Sequence, residues 1–340
     1  MTIQNHAGGF ARRTTLLVLA AVLALAVAIP LNARAGGQQR HPRVVLVTFN
    51  CAEGNFLCPG FTRALRRTGV SGRIVSPDLR EDPVATLSLL AGAGDDLIIV
   101  DQSWYETLGT VAPRFPRTRF ALFDAPLEIV RGRPRNALGI VLQPRGAAYL
   151  AGWLAARLEQ RRPGRDVVGA VGGERIPPVD NFIVGFRAGA RSASPKVTVL
   201  TSYSNDFTDP RKCEAIARRQ IARGAGVVLN VAGACGLGTL RAAKHAGVWG
   251  IGVDTDQSFL GPHILTSVVK RYDVAFLRLL RQVRGGTIRT GGTTVLGLRN
   301  GGAQLGRISP KVPASLRAEL DRVRRRIAAG EIRVPAGPAD

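Results

Sequence analysis

Between residues 43 and 253, short apolar runs alternate with stretches of helical periodicity, and the pattern runs through twice. Such alternation builds βαβ units, and βαβ units build parallel sheets. The first series predicts strands over 43–49, 72–75, 96–100, 119–123 and 137–142, with helices over 60–68, 83–92 and 105–111. In the first helix Phe61, Ala64 and Leu65 fall at i, i+3 and i+4. The unbroken apolar character of 43–49 suits a strand buried on both faces. The second series predicts helices over 146–159, 179–192, 210–223 and 236–245, and strands over 167–171, 197–201, 227–231 and 249–253. The expectation is an α/β chain of two doubly wound, Rossmann-like lobes with parallel sheets, one over 43–145 and one over 146–270. Residues 271–340 carry two helical stretches, 275–284 and 315–329, around a strand at 294–298, and are expected to cross back to the first lobe.

Before the first strand lies a segment of different character. Arg12 and Arg13 precede 14 apolar residues from Leu16 to Ile29, then Pro30 and the small residues Ala33 and Ala35 flanking Arg34. A charged start, a short apolar run and an A-x-A site describe a secretory signal peptide over 1–35, followed by a linker over 36–42. The run is shorter than the ~20 residues that span a bilayer, so membrane contact is expected only through a partner or an uncleaved anchor. No cysteine follows the run closely, and the expectation is an exported, unlipidated chain in the periplasm or at the cell surface.

Removing that segment takes three Arg and no acid, so the net charge falls from +23 to +20. Only five of the 47 basic residues are Lys. The Arg are dispersed, with no long basic run and no aromatic stacking platform, which argues for a solvated basic surface and against a nucleic-acid partner. A monomer without cofactor is expected.

Four cysteines, Cys51, Cys58, Cys213 and Cys235, allow three pairings. Export permits disulfides, and Cys51–Cys58 with Cys213–Cys235 is the expected pattern. The rival zinc site lacks a CxxC pair and a His at ligand spacing.

The candidate site lies at two successive strand ends. The strand at 249–253 leads into Asp254, and the apolar run 264–269 leads into Lys270. Ligands of open α/β sheets bind outside the carboxyl ends of the strands, so this acid and base can face one crevice. A carboxylate there accepts from paired hydroxyls, as on a sugar, and the Lys would hold it ionised. The plainer readings are a helix cap at Asp254 and a solvated charge at Lys270. Gly233 sits in a strand-to-helix turn where a backbone can approach a ligand closely. Trp104 and Tyr105 follow the third strand and are read as packing residues. No GxSxG elbow, HExxH pair or phosphate-binding glycine fingerprint is present, so a binder is expected and not an enzyme.

The segment GIGVDTDQ, followed by LTSVVK, resembles the basic membrane protein family, the nucleoside-binding, PnrA-like receptors of ABC importers. AAYLAGWLAA, VVGAVGGERIPPVDNFIVGFRAGAR, FTDPRKCEAIARRQIARGAGVVLNVAGACGLG and the final IRVP are similar to further blocks of that family, in the same order. The resemblance runs from about residue 95 to the end, and less clearly from 43. It implies a type I periplasmic-binding-protein fold, with a nucleoside-like ligand enclosed between the lobes and an ABC permease as partner. It further implies that Asp254 and Lys270 lie in the cleft, that Asp124 accepts from a ring N–H, and that the loop holding Asn55 and Phe56 covers the base. That loop, CAEGNFLCPG, is shorter than the family's, and Gly146 stands where the family usually has Glu.

Overall fold

The computed structural model describes residues 42–49, 51, 57–78, 80–164 and 166–336. The signal peptide and nearly all of the linker expected from sequence lie outside them, as do Asn55 and Phe56. Among the described residues no helix is long and apolar enough to cross a membrane.

The first lobe is a six-stranded sheet in which β1 (Arg43–Val47), β2 (Ser71–Val75), β3 (Leu97–Asp101), β4 (Arg119–Phe123) and β5 (Ala137–Leu142) are joined by α1 (Leu57–Thr68), α2 (Pro83–Gly92) and α3 (Tyr105–Val111). The alternation of side chains along a strand explains why both faces are covered. Val44 and Leu46 point into a core with Phe61 of α1. Val45 and Val47 point into another with Leu87 of α2, Trp104 and Leu108. Trp104 is buried and stacks on Phe49 with ring centroids 4.7 Å apart, a packing role. α2 begins where a cap is available: Asp82 accepts from Val84 N at 2.9 Å and Pro83 opens the helix.

The second lobe repeats the plan with α4 (Arg145–Glu159), β6 (Val167–Gly172), α5 (Pro177–Ala193), β7 (Thr198–Tyr203), α6 (Pro210–Ala222), β8 (Val227–Val231), α7 (Gly236–His245), β9 (Trp249–Asp254) and β10 (Ile264–Lys270). α4 and α5 meet backbone to backbone. A Cβ on Gly152 would lie 1.9 Å from Phe186 O, and one on Gly189 1.9 Å from Tyr149 O, so only glycine permits this crossing. Both disulfides expected from sequence are formed, Cys51–Cys58 and Cys213–Cys235, the latter tying α6 to the start of α7. All four sulfurs are thereby used, which removes the zinc alternative.

The chain then divides between the lobes. α8 (Tyr272–Arg284) packs on α1 in the first lobe, and β11 (Thr293–Leu296) pairs with β5. The short β12 (Ala303–Leu305) instead returns to the second sheet, antiparallel to β10. α9 (Ala314–Ala329) buries Leu316, Leu320 and Ile327 against the core around α4. Sequence reading expected all of 271–340 to rejoin the first lobe. The correction has a plain cause: the apolar face of α9 is complementary to α4, and β12 caps an otherwise open strand edge. The strand orders are β11-β5-β4-β3-β1-β2 and β12-β10-β9-β8-β6-β7, parallel throughout except at β12.

Candidate functional site

The carboxyl ends of β4, β9 and β10 deliver Asp124, Asp254 and Lys270 to one place. Asp254 has φ +65° and stands between Val253 O and Thr255 N, which are hydrogen-bonded at 2.7 Å. An i→i+2 bond with positive φ at the central residue is a rare, strained γ-turn. The turn is braced from behind by Gln257. Its Oε1 accepts from Val253 N at 3.0 Å and Asn230 Nδ2 at 3.3 Å, and its N–H donates to Ser267 Oγ at 3.0 Å. A Cβ on Gly252 would come within 2.3 Å of that Oε1, so Gly252 and Gln257 belong together. Asp256 is likewise structural, accepting from Ser258 N and Arg307 N.

Lys270 Nζ lies 2.8 Å from Asp124 Oδ2 and 3.9 Å from Asp254 Oδ1. Its side chain is 9% exposed, and its ammonium sits 5.5 Å above the Phe182 ring. Tyr272 O–H donates to the same Asp124 oxygen at 3.1 Å, and Leu142 N donates to Asp124 Oδ1 at 3.3 Å. Asp124 is thus held by three donors of the chain itself. Asp254 keeps 32% of its side-chain surface and has no hydrogen-bond donor among the described residues. Its free surface faces the cavity between the lobes.

Lys270 favours the ionised form of Asp254, but it does not act alone on that carboxyl. Burial pushes the Asp254 carboxyl above its ordinary pKa; Lys270 pulls it back, and Asp124 pushes it further up. Burial works against the charge on Lys270, but Asp124 and Asp254 outweigh it and its pKa stands raised. The Tyr272 hydroxyl is pushed well up by burial, then by Asp124 and Asp254. The group is a buried Asp–Lys–Tyr cluster with a second carboxylate at its solvent edge.

That edge opens into a cavity of about 490 Å³ between the lobes. Pro59 and Arg63 of α1 form one wall; Asp254, Lys270 and Arg307 belong to the other, with Tyr272 at the crossover. Arg271 in the same wall is matched by Asp273 at 2.8 Å. Gly233 is not part of the wall. Its φ of +54° serves the β8–α7 turn, where it packs on the Phe207 carbonyl that also receives Cys235 N. Tyr272 and Phe182 escaped sequence reading. The signal for Tyr272 was its place two residues beyond Lys270; Phe182 lay in a helix stretch indistinguishable from core.

Residues 43–337 match the family described as ABC transporter substrate-binding protein, PnrA-like. Over 224 residues the chain is 31% identical to Basic membrane protein B of Borrelia garinii, covering 64% of each. Over 256 residues it is 32% identical to a lipoprotein of Pyrococcus abyssi, covering 72% of this chain and 62% of that one. The chain therefore spans somewhat under two thirds of the length of these curated relatives. Among solved structures it resembles an ABC transporter system solute-binding protein of Aeropyrum pernix K1, with a TM-score of 0.72 and 24% identity over 87% of this chain and 94% of that one. That likeness is one of fold, the type I periplasmic-binding arrangement of two α/β lobes. The Pyrococcus relative overturns one expectation, that of an unlipidated chain: a protein this similar is named a lipoprotein. With the family pattern matched over nearly everything beyond residue 42, the chain belongs to the Bmp family of PnrA-like ABC transporter substrate-binding proteins.

Proposed function

We propose that this chain binds a nucleoside-like solute, a purine nucleoside first among them, between its lobes and delivers it to an ABC permease. It acts as a receptor and not as a catalyst. The observation that carries this reading is Asp254, a carboxylate at the cavity wall without a donor among the described residues. A desolvated carboxylate with both oxygens available suits two vicinal hydroxyls, as on a ribose, because each contact is charge-assisted. The Asp124–Lys270–Tyr272 cluster supplies the rigid floor. Closure follows if each lobe supplies part of the contact set, since a ligand shifts the equilibrium only by its differential affinity for the closed form.

Calorimetry of the wild-type chain against nucleosides, free bases and sugars tests this. Heat with nucleosides, much reduced in Asp254→Asn, is the expected result. Heat with sugars alone would reassign the site to another hydroxylated solute. No heat with any member of the panel would sink the reading.

A further inference from the structure

A second cavity, of about 680 Å³, shares no wall residue with the first. It opens where two passages between the lobes run side by side: residues 143–144, which join β5 to α4, and 297–302, which join β11 to β12. Its floor is apolar, built by Leu298, Ile327 and Ile332 among others, and its wall carries three guanidinium groups, Arg145, Arg299 and Arg333. Among the described residues no carboxylate lines it. Two other cavities pair an arginine with an acid. In the inter-lobe cleft Arg271 is neutralised by Asp273, and in the neighbouring cavity under β12 Arg324 is neutralised by Asp321. Among the described residues none of Arg145, Arg299 and Arg333 has such a partner. The Arg145 side chain donates only to a neutral acceptor, Pro335 O at 3.1 Å, and burial lowers its pKa with no carboxylate to offset it.

A half-buried guanidinium without a counter-ion bears its desolvation uncompensated, and an anion relieves it. Guanidinium forks match carboxylate and phosphate in bidentate fashion. Three of them in one pocket exceed what the two oxygens of a single carboxylate can take, which favours phosphate. The apolar floor requires that the phosphate be carried on an apolar body. We infer that this pocket beside the lobe crossovers binds an amphiphilic phosphate ester. That chemistry comes from two sources, a phospholipid headgroup in a bilayer or a soluble phosphate ester.

The test uses the full chain, octyl phosphate as probe, and two double variants of equal charge change. Arg299→Gln/Arg333→Gln alters the pocket at exposed positions; Arg66→Gln/Arg67→Gln alters exposed positions on α1. Calorimetry is expected to show octyl phosphate binding at least tenfold more weakly to the pocket variant than to wild type or the α1 variant, and inorganic phosphate binding at least tenfold more weakly than octyl phosphate. Asp254→Asn should bind octyl phosphate as wild type does, which separates this site from the solute cleft. Vesicles of phosphatidylcholine with and without phosphatidylglycerol then assign the source. Attachment lost only in the pocket variant identifies the headgroup, and attachment equal in both variants identifies the soluble ester. Absence of octyl phosphate binding, equal loss in the two variants, or inorganic phosphate binding as tightly as octyl phosphate would each overturn the proposal.

Discussion

Asp124 and Asp254 occupy equivalent positions in the two lobes and converge on one ammonium. Asp124 directly follows β4 and Asp254 ends β9, each strand third in the spatial order of its sheet; each has positive φ, +62° and +65°, and each faces Lys270, at 2.8 and 3.9 Å. Asp is among the few side chains that tolerate left-handed backbone. The pair differs in partners: Asp124 accepts from Lys270, Tyr272 and Leu142, and Asp254 accepts from no donor among the described residues.

Replacing Asp254 by Asn keeps the size and the tolerance for positive φ while removing the charge. Ligand affinity is expected to fall about a hundredfold, at ~1.4 kcal/mol per decade, because hydroxyl donors lose a charged acceptor. The melting temperature should hold or rise, since a partly desolvated carboxylate has gone. A variant that melts early would place Asp254 in the framework.

Lys270→Met leaves Asp124 and Asp254 to repel each other in low dielectric. Breaking a buried pair in this way costs about 3–5 kcal/mol, to be read from urea unfolding at pH 7. Burial and the second carboxylate already push the Asp254 carboxyl up, and Lys270 no longer opposes them, so the deficit should shrink as pH falls toward 5. A deficit independent of pH would refute the assignment.

Glu159, buried at the end of α4, has its carboxyl pushed up to about 7 by burial, with Arg162 only partly opposing. The native state therefore holds a proton that the unfolded state releases near 4.5. The associated stability is present below about pH 4.5 and lost as pH rises to 7, amounting to about 3 kcal/mol. Glu159→Gln should flatten that limb of the pH–stability curve and leave the protein more stable than wild type at pH 8.

Gly189→Ala places a methyl 1.9 Å from the Tyr149 carbonyl oxygen. Main chain on both sides cannot rotate away, so α4 and α5 must separate. Overpacking costs about 1–3 kcal/mol, and this substitution should reach the upper end. A melting temperature within a degree or two of wild type would mean that the two helices slide freely.

Much of this architecture is legible in the sequence because strands buried on both faces write themselves as unbroken apolar runs. β3 and β8 were found to within a residue on that signal alone. β12 was not, since Ala-Gln-Leu carries no such run and gains its place only by pairing with β10. The same limit governed the site. Position at a strand end singled out Asp254 and Lys270. Nothing local reveals that Lys270 prefers Asp124, 146 residues away, or that burial outweighs the ammonium at Asp254. Those outcomes depend on distances set by two separately folded sheets. A turn glycine such as Gly233 reads the same in sequence whether its neighbour is a solute or, as here, the Phe207 carbonyl.

The two disulfides join each cysteine to the next one along the chain, Cys51 to Cys58 and Cys213 to Cys235. For a polypeptide delivered N-terminus first into an oxidising compartment, this order has a kinetic meaning. When Cys58 emerges, Cys51 is the one thiol available to it, and with that bond closed Cys213 must wait for Cys235. Oxidation in step with delivery never offers a wrong partner. Maturation should therefore need an oxidant but little help from a disulfide isomerase, whereas refolding the fully reduced chain in a test tube exposes all three pairings at once.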